Sequence, residues 1–272
     1  MAHHVELQCS ALSDTGMVRA QNEDAVVVLA DLGVAILADG MGGYQAGEVA
    51  SRMAIDVCSR SLQQDFAGFE WLPGSERSER LSRLLLKAVF SANAAIFQAS
   101  LADVHHAGMG TTLVLTLAHH DKLLVAHVGD SRLYRLRDGQ LEQITRDHSQ
   151  VQDQVDAGLL SPEQARNAPN RNLVTRALGI DMLVQPELNR YATRAGDLYL
   201  LCSDGLNDMV DDAQIAAIVR AGGASLDATA AALVASANAM GGADNVSVIL
   251  IRIDALAVEA VGLLERIREW VR

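Results

Sequence analysis

The sequence predicts one α+β domain built as a layered sandwich of strands and helices. Short runs rich in Val, Ile and Leu recur along the 272 residues, each of strand length and bounded by Gly, Asp or Asn. Between them lie longer stretches in which apolar residues return at a period near 3.6. Groups of strands interrupted by paired helices are the pattern of stacked sheet and helix layers. Neither an internal repeat nor a low-complexity linker divides the chain.

From Leu7 to Leu37 the chain reads as strands, with turns at Asp14-Thr15-Gly16 and Asp31-Leu32-Gly33. Ala25 to Ala38 is the longest weakly charged stretch, but Asp31 and Gly33 interrupt it, so two strands fit better than a membrane span. Gln45 to Leu62 turns helical, with Ala46, Val49, Ala50, Met53, Val57 and Cys58 on one face. A polar stretch, Gly68 to Ser78, leads to a second helix striped by Leu81, Leu84, Leu85, Ala88, Ala92 and Ile96. Thr111 to Leu117, Leu123 to Val128 and Ser131 to Leu136 read as a strand meander, turning at His119 to Lys122 and Arg137 to Gln140.

Arg146 to Arg176 is polar and loses strand character; it reads as an excursion from the sheet. Within it, Ser161-Pro162-Glu163-Gln164 has the make-up of a helix start: serine cap, proline first, glutamine third. Strands resume at Leu198, helices follow over Asp211 to Val219 and Ser225 to Met240, and Asn245 to Ile253 is the last strand. Ala257, Val261, Leu264, Ile267 and Val271 give the tail, Ala255 to Val271, the spacing of a packed helix.

Half the residues are hydrophobic but only 4% are aromatic, so the core must be aliphatic. The net charge of −12 argues against nucleic acid and against an anionic membrane surface as partners. Lys87 and Lys122 are the only lysines among 22 basic residues, so phosphate recognition would fall to guanidinium groups. Cys9, Cys58 and Cys202 read as reduced thiols. Met1 to Glu6 shows no basic region leading into an apolar one, so we expect no signal peptide and a cytoplasmic protein.

Four aspartates stand at the boundaries of four apolar runs. Asp39 closes Gly33 to Ala38, Asp130 follows Leu123 to Val128, Asp204 follows Leu198 to Ser203, and Asp244 precedes Val246 to Ile251. A carboxylate at a strand end can project from a rigid scaffold into a shared cleft, and oxygen ligands suit hard cations such as Mg²⁺ and Mn²⁺. Competing motifs fail: neither lysine sits in a phosphate-binding P-loop, and Gly40-x-Gly42 continues into Gln45 where a dinucleotide fingerprint needs Gly or Ala.

Val18 to Asp24, Asp39-Gly40-Met41-Gly42-Gly43, Gly108 to Thr112, Val128 to Arg132, Asp204 to Asp208 and Gly242 to Ser247 occur in that order. Together they resemble the metal-dependent Ser/Thr protein phosphatases of type 2C in their bacterial form, over about Leu7 to Ile253. The resemblance implies a central antiparallel β-sandwich flanked by α-helices on both faces (α/β/β/α). It implies a phosphatase domain over 1–254 with a flap at about 147–173, followed by a C-terminal helical extension over 255–272. It also implies a binuclear centre of Mn²⁺ or Mg²⁺: Asp39 bridging, the Gly40 carbonyl on one ion, Asp204 and Asp244 on the second, Glu23 and Asp24 close by and partly through water. Asp130 and Asp208 would hold a weaker third ion, and Arg19 would clamp the substrate phosphate. A hydroxide bridging the two ions would attack phosphorus directly. The implied substrates are phosphoserine and phosphothreonine proteins, the implied opponent is a bacterial Ser/Thr kinase, and we expect a monomer. A phosphoprotein-binding pseudoenzyme would lack part of the ligand set, and Asp39, Asp204 and Asp244 are all present.

Met41 stands where eukaryotic relatives often have His, and Tyr44 where bacterial relatives often have one, so the proton donor to the leaving group is open. Metal-bound water is the default and the Tyr44 phenol the alternative. His105-His106 and His119-His120 read as loop residues, His127 as a core histidine and His148 as a weak substrate contact. Ser203 and Cys202 show no base partner for covalent catalysis.

Overall fold

The computed structural model describes residues 5–256 except 44, 67–73, 167 and 223–224. Two antiparallel sheets stack face to face. One runs in the order β1 (Glu6–Asp14), β11 (Val246–Ala255), β10 (Leu198–Cys202), β7 (Arg132–Arg137), β8 (Gln140–Gln143). The other runs β2 (Asp24–Leu29), β3 (Val34–Met41), β5 (Leu113–His119), β6 (Lys122–Val128), β9 (Glu187–Ala192), with the short β4 (Gly110–Thr111) also on β3. Helices α1 (Ala46–Asp65) and α2 (Gly74–Ala102) cover the outer face of the second sheet. Helices α6 (Asp212–Ala221) and α7 (Leu226–Ala239) cover the outer face of the first. The order of layers is therefore α/β/β/α, as the resemblance implies.

Side-chain alternation explains why the central strands read as unbroken apolar runs. Ile36 and Ala38 face α1 and α2, while Ala35 and Leu37 face the opposite sheet. Leu200 and Cys202 face α6 and α7, while Tyr199 and Leu201 point inward, and Val248 and Ile249 divide the same way. A strand buried on both faces has no polar side to show. The inter-sheet layer (Leu37, Val114, Leu201, Ile249) is fully buried, so truncating one of its Leu or Ile residues to Ala costs about 2–5 kcal/mol. The predicted stripe on α2 is buried at Leu81, Leu85, Ala88, Ala92 and Ile96. Residues 76–102 are long and apolar enough to cross a membrane by composition, but that stripe is spent on α1 and the sheet.

Three elements differ from the sequence reading. The second helix begins at Gly74, inside the polar stretch, because Glu76 to Arg80 are as compatible with an exposed helical turn as with a loop. The predicted meander is split: β5 and β6 form a hairpin in one sheet, while β7 pairs with β8 and β10 in the other. Gly129, at φ 106°, lets the chain turn between sheets immediately before Asp130. Strand β9 was not predicted; it is a sheet edge whose Glu187, Asn189 and Arg190 carry no apolar alternation. The hairpin turns fall where expected, with Asp138 and Gly139 at φ 50° and 74°.

From Arg146 to Arg176 the chain leaves the sheets and forms α3 (Gln150–Asp156) and α4 (Pro162–Arg166). Gln164 N–H donates to Ser161 Oγ at 3.2 Å and the Ser161 N–H to Gln164 Oε1 at 2.8 Å, the reciprocal cap the sequence suggested. The predicted tail helix lies almost wholly outside the described residues.

Candidate active site

The carboxylates gather at one end of the sandwich because antiparallel pairing brings the relevant strand ends together. Asp24, first residue of β2, pairs directly with Asp39 near the end of β3. Asp204 follows β10 as the first residue of a one-turn helix, α5 (Asp204–Asn207), and Asp244 precedes the neighbouring β11. Asp130 sits where the chain crosses between sheets, and Asp208 lies one helical turn beyond Asp204, its N–H donating to the Asp204 carbonyl at 2.8 Å.

Backbone and side-chain hydrogen bonds fix these acids. Asp39 N–H donates to Thr112 Oγ1 at 3.0 Å, Thr112 N–H returns to the Asp39 carbonyl at 2.8 Å, and Thr111 Oγ1 donates to that carbonyl at 2.8 Å. The Gly-Met-Gly-Thr-Thr motif is thus a clamp on Asp39. Ser203 Oγ donates to Asp24 Oδ2 at 2.8 Å and accepts the Ser247 N–H at 3.0 Å. At Gly40 an added methyl would overlap the Gly47 and Glu23 carbonyls, so only glycine allows β3 to pass this close to α1.

The electrostatics show how closely the carboxylates are crowded. Burial first, then the charges of Asp24, Asp204, Asp130 and Asp244, push the Asp39 carboxyl well above the usual carboxylate range. Burial, then Asp130, Asp208, Asp244 and Asp24, do the same to Asp204. Asp24 is pushed up to about 6 by burial, against hydrogen bonds from Ser247 and Ser203 that pull it down. Asp130 reaches about 7 through burial and the neighbouring Asp147. Asp208 and Glu23 are raised mainly by burial too, Arg171 opposing at the first and Arg19 at the second. The negative charges of Asp24, Asp130, Asp204 and Asp244 raise one another or Asp39, a repulsion that divalent cations among them would relieve. Hard-oxygen donors of this number, with the Gly40 carbonyl beside them, fit divalent cations of the Mg²⁺/Mn²⁺ type.

Arg19 lies at the rim, half exposed, with Nη2 at 2.6 Å from Asp244 Oδ2. An exposed pair of this kind contributes roughly 0–1 kcal/mol, so the guanidinium gives it up readily for a phosphate. Glu23 N–H donates to Asn245 Oδ1 at 2.8 Å, while Asn245 Nδ2 donates to the Thr15 and Gln21 carbonyls, both at 2.9 Å. Asn245, quoted in its motif but given no role from sequence, therefore ties the loop bearing Arg19 and Glu23 to the start of β11. A pocket of about 620 Å³ opens beside Arg19 and Glu23, and its lining includes His105 and His106, which the sequence reading left as loop residues. A second recess of about 530 Å³ holds Asp130, Asp204 and Asp208 under the 146–176 excursion. Arg171 reaches Asp208 at 3.4 Å and Arg166 reaches Asp212 at 3.0 Å across it. At the root of the excursion, Asp147 accepts from Arg132 Nε and Nη2 at 3.0 and 2.7 Å, a buried pair.

His127, His148 and Glu187 form a separate trio whose ligand-type atoms lie within 4.8 Å of one another. Their hydrogen bonds argue against a metal. Gly129 N–H donates to His148 Nδ1 at 3.1 Å, occupying the lone pair of the neutral ring, so Nε2 carries the proton and faces Glu187 at 3.6 Å. His148 is thus buried between Gly129, Glu187 and Arg176. His127 is buried with Nε2 donating to the Ser131 carbonyl at 3.0 Å and Nδ1 unpartnered, a core histidine only half satisfied. Tyr44 lies outside the described residues.

Stacked antiparallel sheets with outer helices and a carboxylate cleft at one end define the fold and site of metal-dependent phosphatases. The family model for protein phosphatase 2C matches residues 18–237, and the chain belongs to that family. It is 42% identical over 244 residues to the serine/threonine protein phosphatase PstP of Mycobacterium tuberculosis, covering 90% of this chain and 44% of that one. The chain thus spans less than half the length of PstP. It is 35% identical to the serine/threonine phosphatase stp of Listeria monocytogenes, covering 89% of this chain and 94% of that one. The crystal structure of M. tuberculosis PstP superposes with a TM-score of 0.82 at 40% identity, over 91% of this chain and 99% of that chain. The PstP catalytic domain in complex with two manganese ions gives 0.78 at 40% identity, over 90% and 97%.

Proposed function

We propose that this chain is a divalent-cation-dependent phosphatase acting on phosphoserine and phosphothreonine in proteins. The observation that carries the reading is the convergence of Asp24, Asp39, Asp204 and Asp244 on one cleft, the first three with their carboxyls raised above the ordinary range, chiefly by burial. Asp39, the Gly40 carbonyl, Asp204 and Asp244 would hold two ions, with Glu23 and Asp24 partly through water. Asp130 and Asp208 would hold a weaker third. When bound, such ions neutralise a phosphoryl dianion and ionise a water near neutral pH.

The remaining roles belong to the chain itself. Arg19 leaves Asp244 and orients the phosphate through its planar fork. Asn245 keeps Arg19 and Glu23 in register, Thr112 and Ser203 hold Asp39 and Asp24, and the 146–176 excursion roofs the cleft. Covalent catalysis by the chain is disfavoured: Ser203 Oγ is committed to Asp24, and burial raises the Cys202 thiol to about 12. Met41 has no proton to give, so water in the open cleft protonates the leaving oxygen.

The substrates we assign are targets of a Ser/Thr kinase, together with the kinase itself, met by a monomer. The two buried thiols, Cys58 and Cys202, suit a reducing cytoplasm. Release of phosphate from a phosphothreonine peptide and turnover of p-nitrophenyl phosphate test the reading, with Mn²⁺, with Mg²⁺ and with EDTA. Turnover with either cation and none with EDTA is expected; equal rates in EDTA, or no turnover with both cations, would overturn it.

A further inference from the structure

The two recesses flanking the carboxylates differ in charge. Beneath the excursion the walls carry six aspartates (Asp130, Asp147, Asp204, Asp208, Asp211 and Asp212) against three arginines, Arg132, Arg166 and Arg171. The pocket beside Arg19 instead carries His105 and His106, with Glu23 on its metal side as the one carboxylate in its lining among the described residues. In a chain of net charge −12, one arginine and two histidines against a single carboxylate around one 620 Å³ pocket are out of keeping with the surface at large.

The histidines are held in place. They sit on a single 3₁₀ turn, Val104–His106, that follows α2 directly. The Asp103 carboxylate accepts the His105 N–H at 2.9 Å, the Asp103 carbonyl accepts the His106 N–H at 2.9 Å, and the His106 carbonyl accepts the Met109 N–H at 3.1 Å. Met109 is fully buried and leads into β4, which pairs with β3 at Gly40 and Met41. The turn is thus fixed to the same strand end that presents Asp39. Val104 and His105 are exposed and His106 is half-buried, so the rings contribute little to the core.

Arg19 lines the same pocket as His105 and His106, so a phosphate held by Arg19 would bring the next residues of its peptide, 3.8 Å apart along the backbone, alongside them. Imidazole N–H groups donate to oxyanions, and a charge-assisted hydrogen bond is about twice as strong as a neutral one. Building on the phosphatase reading above, we propose that His105 and His106 form an anion subsite next to Arg19, selecting phosphopeptides that carry a second anionic group one or two residues from the phosphorylated one. That group is a carboxylate or a second phosphate; a neutral neighbour gains nothing there.

The test uses phosphothreonine peptides with neutral, Glu and phosphoserine neighbours at the first and second positions on either side. Their kcat/KM is read as a ratio, anionic over neutral, for the wild-type chain, for the doubly substituted His105→Gln/His106→Gln chain, and for His105→Arg/His106→Arg. The wild type should favour an anionic neighbour by about tenfold, as one or two charge-assisted hydrogen bonds allow. The Gln variant should bring the ratio near one, and the Arg variant should restore it. Glu and phosphoserine arms distinguish the two sources of charge. A wild-type ratio near one, or a ratio untouched in the Gln variant, would overturn the subsite. The same ratios are read as affinities by fluorescence anisotropy on peptides bearing a non-hydrolysable phosphonate. Loss of all turnover with an anisotropy ratio still near ten would refute the phosphatase reading and leave the subsite standing; the converse would refute the subsite alone.

Discussion

Asp130→Asn should stabilise the metal-free protein, increasingly as pH rises from about 4 to about 7. Asp130 is buried, with its carboxyl raised from 3.8 to about 7 by burial, Asp147 and Asp208, against the pull of Arg132. A group whose folded pKa exceeds its unfolded value contributes stability that is complete below the unfolded value and is lost as pH rises through the folded one. The window is therefore pH 4 to 7. A rise of about three units at 1.36 kcal/mol each places the cost of the ionised carboxylate near 4 kcal/mol at pH 8. Asparagine keeps the shape and removes the charge, but it forfeits the attraction of Arg132, so about half of that is recoverable. About 2 kcal/mol in a chain of this size raises the melting temperature by roughly 4–8 °C. Calorimetric melting in EDTA at pH 8 and at pH 5 reads both arms. The gain should be full at pH 8 and less than half of that at pH 5, where the folded acid carries its proton but the unfolded carboxyl has largely lost it. A variant that melts lower than wild type at pH 8, or gains equally at both pH values, would refute the electrostatic account of the cleft.

Two further expectations follow from other parts of the molecule. Gly40→Ala forces a methyl onto the Gly47 and Glu23 carbonyls, which as backbone cannot swing aside; it should cost about 1–3 kcal/mol and weaken Mn²⁺ binding, whereas Gly43→Ala meets nothing within 4 Å and should leave the melting temperature within a degree or two. Urea titrations with and without Mn²⁺ check both. His127 has its pKa lowered to about 3 by burial, with His148 adding, so the folded state refuses a proton that the unfolded chain accepts near 6.5. Its stability contribution is present above 6.5 and is lost as pH falls toward 3, about 3 kcal/mol between pH 7.5 and 4.5. His127→Gln should flatten that part of the pH–stability curve, measured as the loss within each protein; an unchanged slope would show that His127 is not the acid-sensitive group.

The features legible from sequence are those fixed by local chemistry. Asp39, Asp204 and Asp244 were readable because strand ends are marked by where an apolar run stops, and the structure brings all three to one end of the sandwich. The stripe of α2 and the cap at Ser161 were readable for the same reason. The separation of β6 from β7 into different sheets was not. β6 is buried at every residue but its first, so its run carries no sign of which face or sheet it serves, and Gly129 turns the chain between the two. Strand β9 escaped because an edge strand is held by backbone hydrogen bonds to β6 and not by an apolar face. His105 and His106 escaped because their pocket is closed by Arg19 and Asn245, residues 86 and 140 or so positions distant, and no local pattern announces such a wall. The pairing of Arg19 with Asp244 likewise exists only once β1 and β11 have brought the two ends of the chain together.

The clustered carboxylates of Asp24, Asp39, Asp204 and Asp244 would together hold two divalent cations. Calorimetric titration of the metal-free chain with Mn²⁺ tests it most directly, with Asp39→Asn as the paired sample. The account predicts two ions bound per wild-type chain, protons released on binding near pH 6 as Asp24 and its neighbours ionise, and fewer than two ions in the variant. Absence of binding to the wild type, or an identical two-ion isotherm in Asp39→Asn, would contradict it.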